Sequence, residues 1–333
     1  MNPTAPTAMI LIRLLFLPLF IAGICFADEP VNRWTYESLR KHFESRKTAE
    51  EKYGAIHLLD TDFAATIIRK EIAEADRAKL LRIFLEDDDL SVRNVAVGAI
   101  TFNNWSTQFS KELIAMLAGN PSEDTIRVVA EAMGSSKHEP FTPHLVKLLD
   151  HPNPDLQLNV AGRLSFLNPK LGYEFLAPRI TDFKRDLDQR IAAIRQLHIQ
   201  HFLPAIRLMT ALTKAPEPEL RREATERLGL LHSRDHTATF TRLLTDKDAQ
   251  VRGLAAKALA TVLDRTETDE DAIATLLKDS DPFVRRTAAD ALRSAGAKRL
   301  LPEIKKLRND PDEKVRQRAR IIVSLMERKL EKR

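Results

Sequence analysis

The residues of this 333-residue sequence best suited to chemistry by type and spacing are two pairs of histidines and one run of carboxylates. His198-x-x-His201 and His232-x-x-x-His236, the latter beside Asp235, are spaced so that two imidazoles can share a metal ion. Nine histidines in a long chain give such pairs by chance. No further carboxylates cluster around them, so the expected role is surface or core, with no metal and no cofactor. The run Glu86-Asp87-Asp88-Asp89 has the composition of a calcium loop but lacks the glycine and distal glutamate such a loop needs. It stands where a helix start needs a capping oxygen, and capping is the expectation. No Gly-rich phosphate loop and no Ser/His/Asp spacing is found, so no catalytic residue is assigned.

The positions that do recur are not catalytic in type. Aligned on Val92-Arg93, the chain gives Ile126-Arg127, Leu156-Gln157, Gln189-Arg190, Leu220-Arg221, Val251-Arg252, Val284-Arg285 and Val315-Arg316, at steps of 30 to 34 residues. Three residues later come Ala96, Ala130, Val160, Ala193, Ala224, Ala255, Ala288 and Ala319; seven later, Ile100, Gly134, Leu164, Leu197, Leu228, Leu259, Leu292 and Val323. Offsets of −1, +3 and +7 trace one helix face, and a small middle residue lets neighbouring helices approach closely.

Four residues before the Arg position stand Asp89, Glu123, Asn153, Asp186, Glu217, Asp248, Asp281 and Asp312, side chains that suit the free N–H groups and positive end of a helix. Pro154, Pro218 and Pro282 follow three of them, at the first helical position, where a missing N–H costs nothing. Another apolar-periodic stretch precedes each cap, for example Leu80–Leu85, and each unit therefore reads as helix A, tight turn, helix B. Lys52, Ala55 and Leu59 repeat the pattern behind a capping box at Thr48 and Glu51, as a degenerate first unit. A lone hairpin cannot bury both helical faces, so the units must stack. The expected fold is all-α, a right-handed α-solenoid of about eight helical hairpins. Pro178 and the phasing of Phe175, Ile180 and Phe183 blur the register between Leu171 and Arg190, where a kink is expected.

At the N-terminus, Arg13 precedes an apolar run from Leu14 to Ile24, followed by Cys25-Phe26-Ala27 and then Asp28-Glu29-Pro30. This is the order of an export signal, and cleavage is expected after Ala27. The run is short for a membrane span, and the mature chain would hold no cysteine and no integral membrane segment. The expected organisation is a signal over 1–27, a helical cap over 28–75 and the repeat stack over 76–333, acting in the periplasm or outside the cell as a monomer.

Lys and Arg total 52 against 47 for Asp and Glu, and the two signs interleave along the chain. That pattern argues against a dedicated nucleic-acid binder, which gathers basic charge on one face. Helix-B positions +1, +5 and +8 point away from the core stripe, which puts Arg195, Arg222, Glu226, Lys257, Arg286, Asp290 and Arg293 on an inner, concave face. Their mixed sign suits a protein or peptide partner.

The segments Asp246–Leu259, Asp279–Leu292 and Asp310–Val323 resemble the Asp-x-Asp-x-x-Val-Arg-x-x-Ala-x-x-x-Leu signature of HEAT repeats, in the short variety of about 31 residues found in bacterial proteins and phycobilisome lyases. The resemblance runs from about Asp76 to Lys329. It implies a ladder joining successive repeats, in which turn carboxylates hold Arg93, Arg127, Arg190, Arg221, Arg252, Arg285 and Arg316. An Asp six residues before the Arg occurs at Asp87, Asp246, Asp279 and Asp310, which leaves the ladder open in the middle repeats.

Enzymes occur on this architecture. The HEAT-repeat hydroxylases that hold two irons use repeated His-Glu pairs, and this chain has one, His138-Glu139. Bilin lyases and HEAT-like DNA glycosylases are the enzymatic alternatives, and export argues against the substrates of both. The sequence reading is therefore a non-enzymatic scaffold of the cell envelope that binds a protein or peptide.

Overall fold

A computed structural model describes residues 35–60, 72–262 and 266–331. The expected export segment and its cleavage point lie outside these residues. Among the described residues all regular structure is helical, and no helix is long and apolar enough to cross a membrane.

The chain divides into two compact units, residues 1–145 and 146–333. The first contains α1 (Tyr36–Glu44), α2 (Ala49–Asp60), α3 (Glu74–Leu85), α4 (Leu90–Phe102), α5 (Ser110–Met116) and α6 (Glu123–Ser135). The division falls within α7 (Thr142–Leu148). The second continues with α8 (Pro154–Leu167), α9 (Pro169–Thr181), α10 (Leu187–Gln196), α11 (Leu203–Leu212), α12 (Pro218–Gly229), α13 (Thr237–Leu243), α14 (Ala249–Thr261), α15 (Glu267–Thr275), α16 (Pro282–Ala295), α17 (Leu301–Lys306) and α18 (Glu313–Glu331).

The even-numbered helices from α4 to α18 are the B helices expected from the Arg register. Their −1, +3 and +7 side chains are buried throughout, apart from Gln189, which is exposed. In α10 the face is turned instead: Arg190 is buried there, and Ile191 and Ile194 complete the core. Within the second unit α12, α14, α16 and α18 pack in succession, B helix against B helix, through columns of alanine such as Ala224, Ala255, Ala288 and Ala319.

The capping oxygens form as the composition requires. Asp89 accepts from the Ser91 N–H at 2.8 Å, Asn153 from Asp155 at 2.9 Å, Asp248 from Val251 at 3.0 Å, Asp281 from Phe283 at 2.8 Å and Asp312 from Val315 at 3.0 Å. In α6 the cap is Ser122, which accepts from Thr125 at 3.2 Å, so Glu123 is the first helical residue. The capping box at Thr48 and Glu51 is closed in both directions, each at 3.2 Å.

Two close approaches fix the packing. A Cβ on Gly172 would lie 2.2 Å from the Ser165 Cα, so α8 and α9 touch backbone to backbone there. A Cβ on Gly253 would lie 2.8 Å from the Phe283 ring. Behind the first contact, buried Ser165 donates through Oγ to the Gly162 carbonyl at 2.8 Å and lies 3.2 Å from that of Gln196, while its oxygen accepts from the His198 N–H at 3.0 Å.

Candidate binding face and turn ladder

Three B-helix arginines, Arg221, Arg252 and Arg285, each work in two directions. Arg252 Nη1 donates back to the carbonyls of its own turn, Asp246 at 2.8 Å and Lys247 at 3.2 Å. Its Nε and Nη2 donate forward to both carboxylate oxygens of Asp279 at 2.7 Å. Arg221 does the same with Ala215, Pro216 and, at 2.8 Å, both oxygens of Asp246; Arg285 with Asp279, Ser280 and, at 2.7 Å, both oxygens of Asp310. Each aspartate also accepts the N–H two residues on, from Asp248, Asp281 and Asp312, at 2.9 Å. A guanidinium fork matches this two-pronged geometry and an ammonium does not.

The ladder extends further than the Asp positions suggest. Arg190 Nη1 donates to Glu217 at 3.1 Å, and Glu217, standing at the start of α12, makes no side-chain cap bond. Glutamate at the cap position thus supplies the rung where the aspartate position holds Ala215. At the degenerate first unit, Lys52 Nζ lies 2.6 Å from Asp87. Gln157 keeps the backward half alone, donating to the His151 carbonyl at 2.7 Å. Arg316 likewise donates to Asp310 and Pro311 at 2.7 and 2.9 Å. Among the described residues Arg127 has only a 3.8 Å contact to Glu123 in its own helix.

These partners set the ionisation of the carboxylates. The Arg285 hydrogen bonds hold Asp310 below the usual carboxylate range against the opposing effect of burial. For Asp246 and Asp279, burial pushes upward and is outweighed by the hydrogen bonds from Arg221 and Arg252 and from the following N–H, leaving both lowered.

A second set of pairs crosses the helix-B face. Arg195 pairs with Glu223 at 2.5 Å, Arg222 grips both oxygens of Asp248, and Asp290 receives Arg318 at 2.6 Å and Arg293 at 3.8 Å. Four of the seven face residues read from sequence therefore have ionic partners, and three of those join successive repeats. Arg286 lies over the Phe283 ring, 5.9 Å from its centre. Glu226 and Lys257 remain exposed. The cause is local: the +5 charge meets an opposite +2 charge of the next repeat at Arg195 with Glu223 and at Asp290 with Arg318, whereas the +2 residues facing Glu226 and Lys257 are Leu254 and Thr287. Reading the +2 column against the +5 column would have found these pairs in the sequence.

The histidine pairs lie in the turns between helices. His198 packs edge-on against Phe166 and is lowered by burial; His236 is buried beside Phe240 and is lowered by burial too. Their partners His201 and His232 are turn residues with φ of 58° and 50°. Among the described residues no group of three or more His, Cys, Asp and Glu is placed to hold a metal. Of the acidic run, Asp89 caps α4 and Asp87 holds Lys52.

Repeated hairpins bolted by Arg–Asp rungs define an all-α repeat protein. Residues 206–277 and 263–324 match the family model described as HEAT repeats, so this stretch carries HEAT repeats. No curated protein matches the chain. Similar solved structures include an engineered protein (18% identity, 88% of each chain covered, TM-score 0.39). Others are the CpcE–CpcF complex of phycocyanin lyase from Nostoc sp. PCC7120 (17%, 75% of this chain and 93% of that one, 0.38) and human deoxyhypusine hydroxylase with glycerol (13%, 79% and 96%, 0.34).

Proposed function

We propose that the protein is a non-enzymatic scaffold of the cell envelope that binds a protein or peptide on the helix-B face of its second unit. The observation that carries this reading is the pinned, mixed-sign surface around Glu226 and Lys257, where ion pairs hold the flanking side chains in place before any partner arrives. Side chains already ordered lose little freedom on binding, and interleaved charge of both signs selects a complementary protein surface over a polyanion. The envelope location rests on the export pattern before Asp28.

Photo-crosslinking tests the face. A photoreactive residue at Lys257 or Glu226 is expected to capture a discrete partner from envelope extract, while the same residue at Ala238, exposed on α13, captures none. Equal labelling at all three positions would overturn the assignment.

A further inference from the structure

At Arg93 the Arg fork is present and its forward carboxylate is not. Arg93 Nη1 donates to the carbonyls of Asp87 and Asp88, the backward half of the pattern seen in Arg221, Arg252 and Arg285. Its forward half would meet the turn before α6, but the residue six before Arg127 is Pro121. Among the described residues no carboxylate takes the forward donors of Arg93. That turn is also set apart by Gly119, whose φ is 74°.

A cleft of about 520 Å³ lies here, lined by Arg93 on one side and Asn120, Pro121 and Ser122 on the other. Leu85, Leu90, Ala115 and Met116 supply apolar wall. Of the other charged residues lining it, Arg82 and Glu112 neutralise each other at 2.8 Å, and Glu86 is exposed. The part-buried Arg93 is thus the cation available to a ligand.

We propose that this cleft binds an aspartate side chain of a peptide or protein partner, whose carboxylate takes Arg93 Nε and Nη2 and completes the missing rung. The molecule itself supplies the precedent. Aspartates take the fork through both oxygens at 2.7 to 2.8 Å in three sister rungs, whereas Glu217 reaches Arg190 through one oxygen at 3.1 Å. The apolar walls fit aliphatic residues on either side of the ligand aspartate. The site lies in the first unit and is separate from the helix-B face of the second, so either assignment can fail while the other stands.

The test uses the full chain and a blocked pentapeptide with a central aspartate between two leucines, titrated while the Arg93 Nε–H resonance is followed by NMR. The expected result is a saturable shift of that resonance. An asparagine-centred peptide is expected to bind at least tenfold more weakly, and a peptide whose only carboxylate is its C-terminus also more weakly. Arg93→Met removes binding. Pro121→Asp, which places a carboxylate at the ladder position within the chain, is expected to raise the melting temperature and exclude the peptide. Equal binding of the aspartate and asparagine peptides, tighter binding of inorganic phosphate, or unchanged peptide affinity in Pro121→Asp would each overturn the proposal.

Discussion

Asp279 is held from both sides: its two carboxylate oxygens receive Arg252 at 2.7 Å, and its backbone carbonyl receives Arg285 at 2.8 Å. One residue therefore joins its own turn, the helix behind it and the helix it introduces. The carboxylate is only 9% exposed, so its desolvation must be offset by the pairing.

Removing Arg252 leaves that carboxylate with the Asp281 N–H alone of the donors described above. Arg252→Met is expected to destabilise the second unit by about 2–3 kcal/mol, the scale for charged hydrogen bonds lost at a part-buried site. Arg127→Met, which breaks only a 3.8 Å contact within its own helix, should change stability by less than about 0.5 kcal/mol. Urea unfolding of the two variants, with the Arg252→Met/Asp279→Leu double variant recovering part of the loss, checks the contrast.

Acid should weaken the same rungs. Asp246, Asp279 and Asp310 all titrate below the ordinary range when folded. Between the folded values and the unfolded value of about 3.9, the unfolded chain binds more protons, so stability rises with pH there. Their contribution is complete above the unfolded value and disappears as pH falls through the folded ones. His42 adds to this from higher pH: burial, then the charge of Arg46, lowers it to about 4, so stability also falls as pH drops below about 6.5. Melting temperatures at pH 7, 5 and 3 should decline in the wild type, and the decline below pH 4 should be shallower in Asp279→Asn.

Where α8 meets α9 there is no room for a methyl group. Gly172→Ala must displace the Ser165 backbone, which a Cβ would approach to 2.2 Å, and is expected to cost about 2–3 kcal/mol as overpacking. Ser165→Ala should cost about 1–3 kcal/mol for a different reason, because the His198 N–H and the Gln196 carbonyl lose a buried partner. Thermal unfolding of both variants, with Gly98→Ala as a control having nothing within 4 Å of the added carbon, tests this.

His232 occupies the left-handed turn position after its B helix, as Gly296 does after α16, with φ of 50° and 73°. Histidine tolerates this region better than most residues but at a cost, so His232→Gly should stabilise by about 0.5–1 kcal/mol and His232→Val destabilise. A drop in the melting temperature of His232→Gly would show that the ring, and not the backbone, sets this position.

The sequence revealed most where a single helix settles the matter. Asp89, Asn153, Asp248, Asp281 and Asp312 act as caps because capping is decided within three residues. Asp87, Asp246, Asp279 and Asp310 take rungs because their spacing to the Arg repeats. What stayed hidden depends on the distance between helices a full repeat apart: Glu217 substituting for an aspartate, Arg222 turning to Asp248, and Ser165 joining α8 to the loop before α11. Of the residues read onto the inner face, Arg195, Arg222 and Asp290 have partners in the next repeat that one helix read alone does not show. The cleft beside Arg93 was invisible for a further reason, since a missing carboxylate matters only once the fork is known to face it.

The rungs are unevenly spread, and that has a kinetic meaning. In the first unit Lys52 makes a point contact with Asp87, and among the described residues no carboxylate takes Arg93; from Arg190 to Asp310 four rungs follow without interruption. In a stack held by neighbour-to-neighbour contacts, opening begins where those contacts are fewest. Amide hydrogens of α2 and α4 should exchange early, and those of α14 and α16, bolted on both sides, should be the last to trade their protons with solvent.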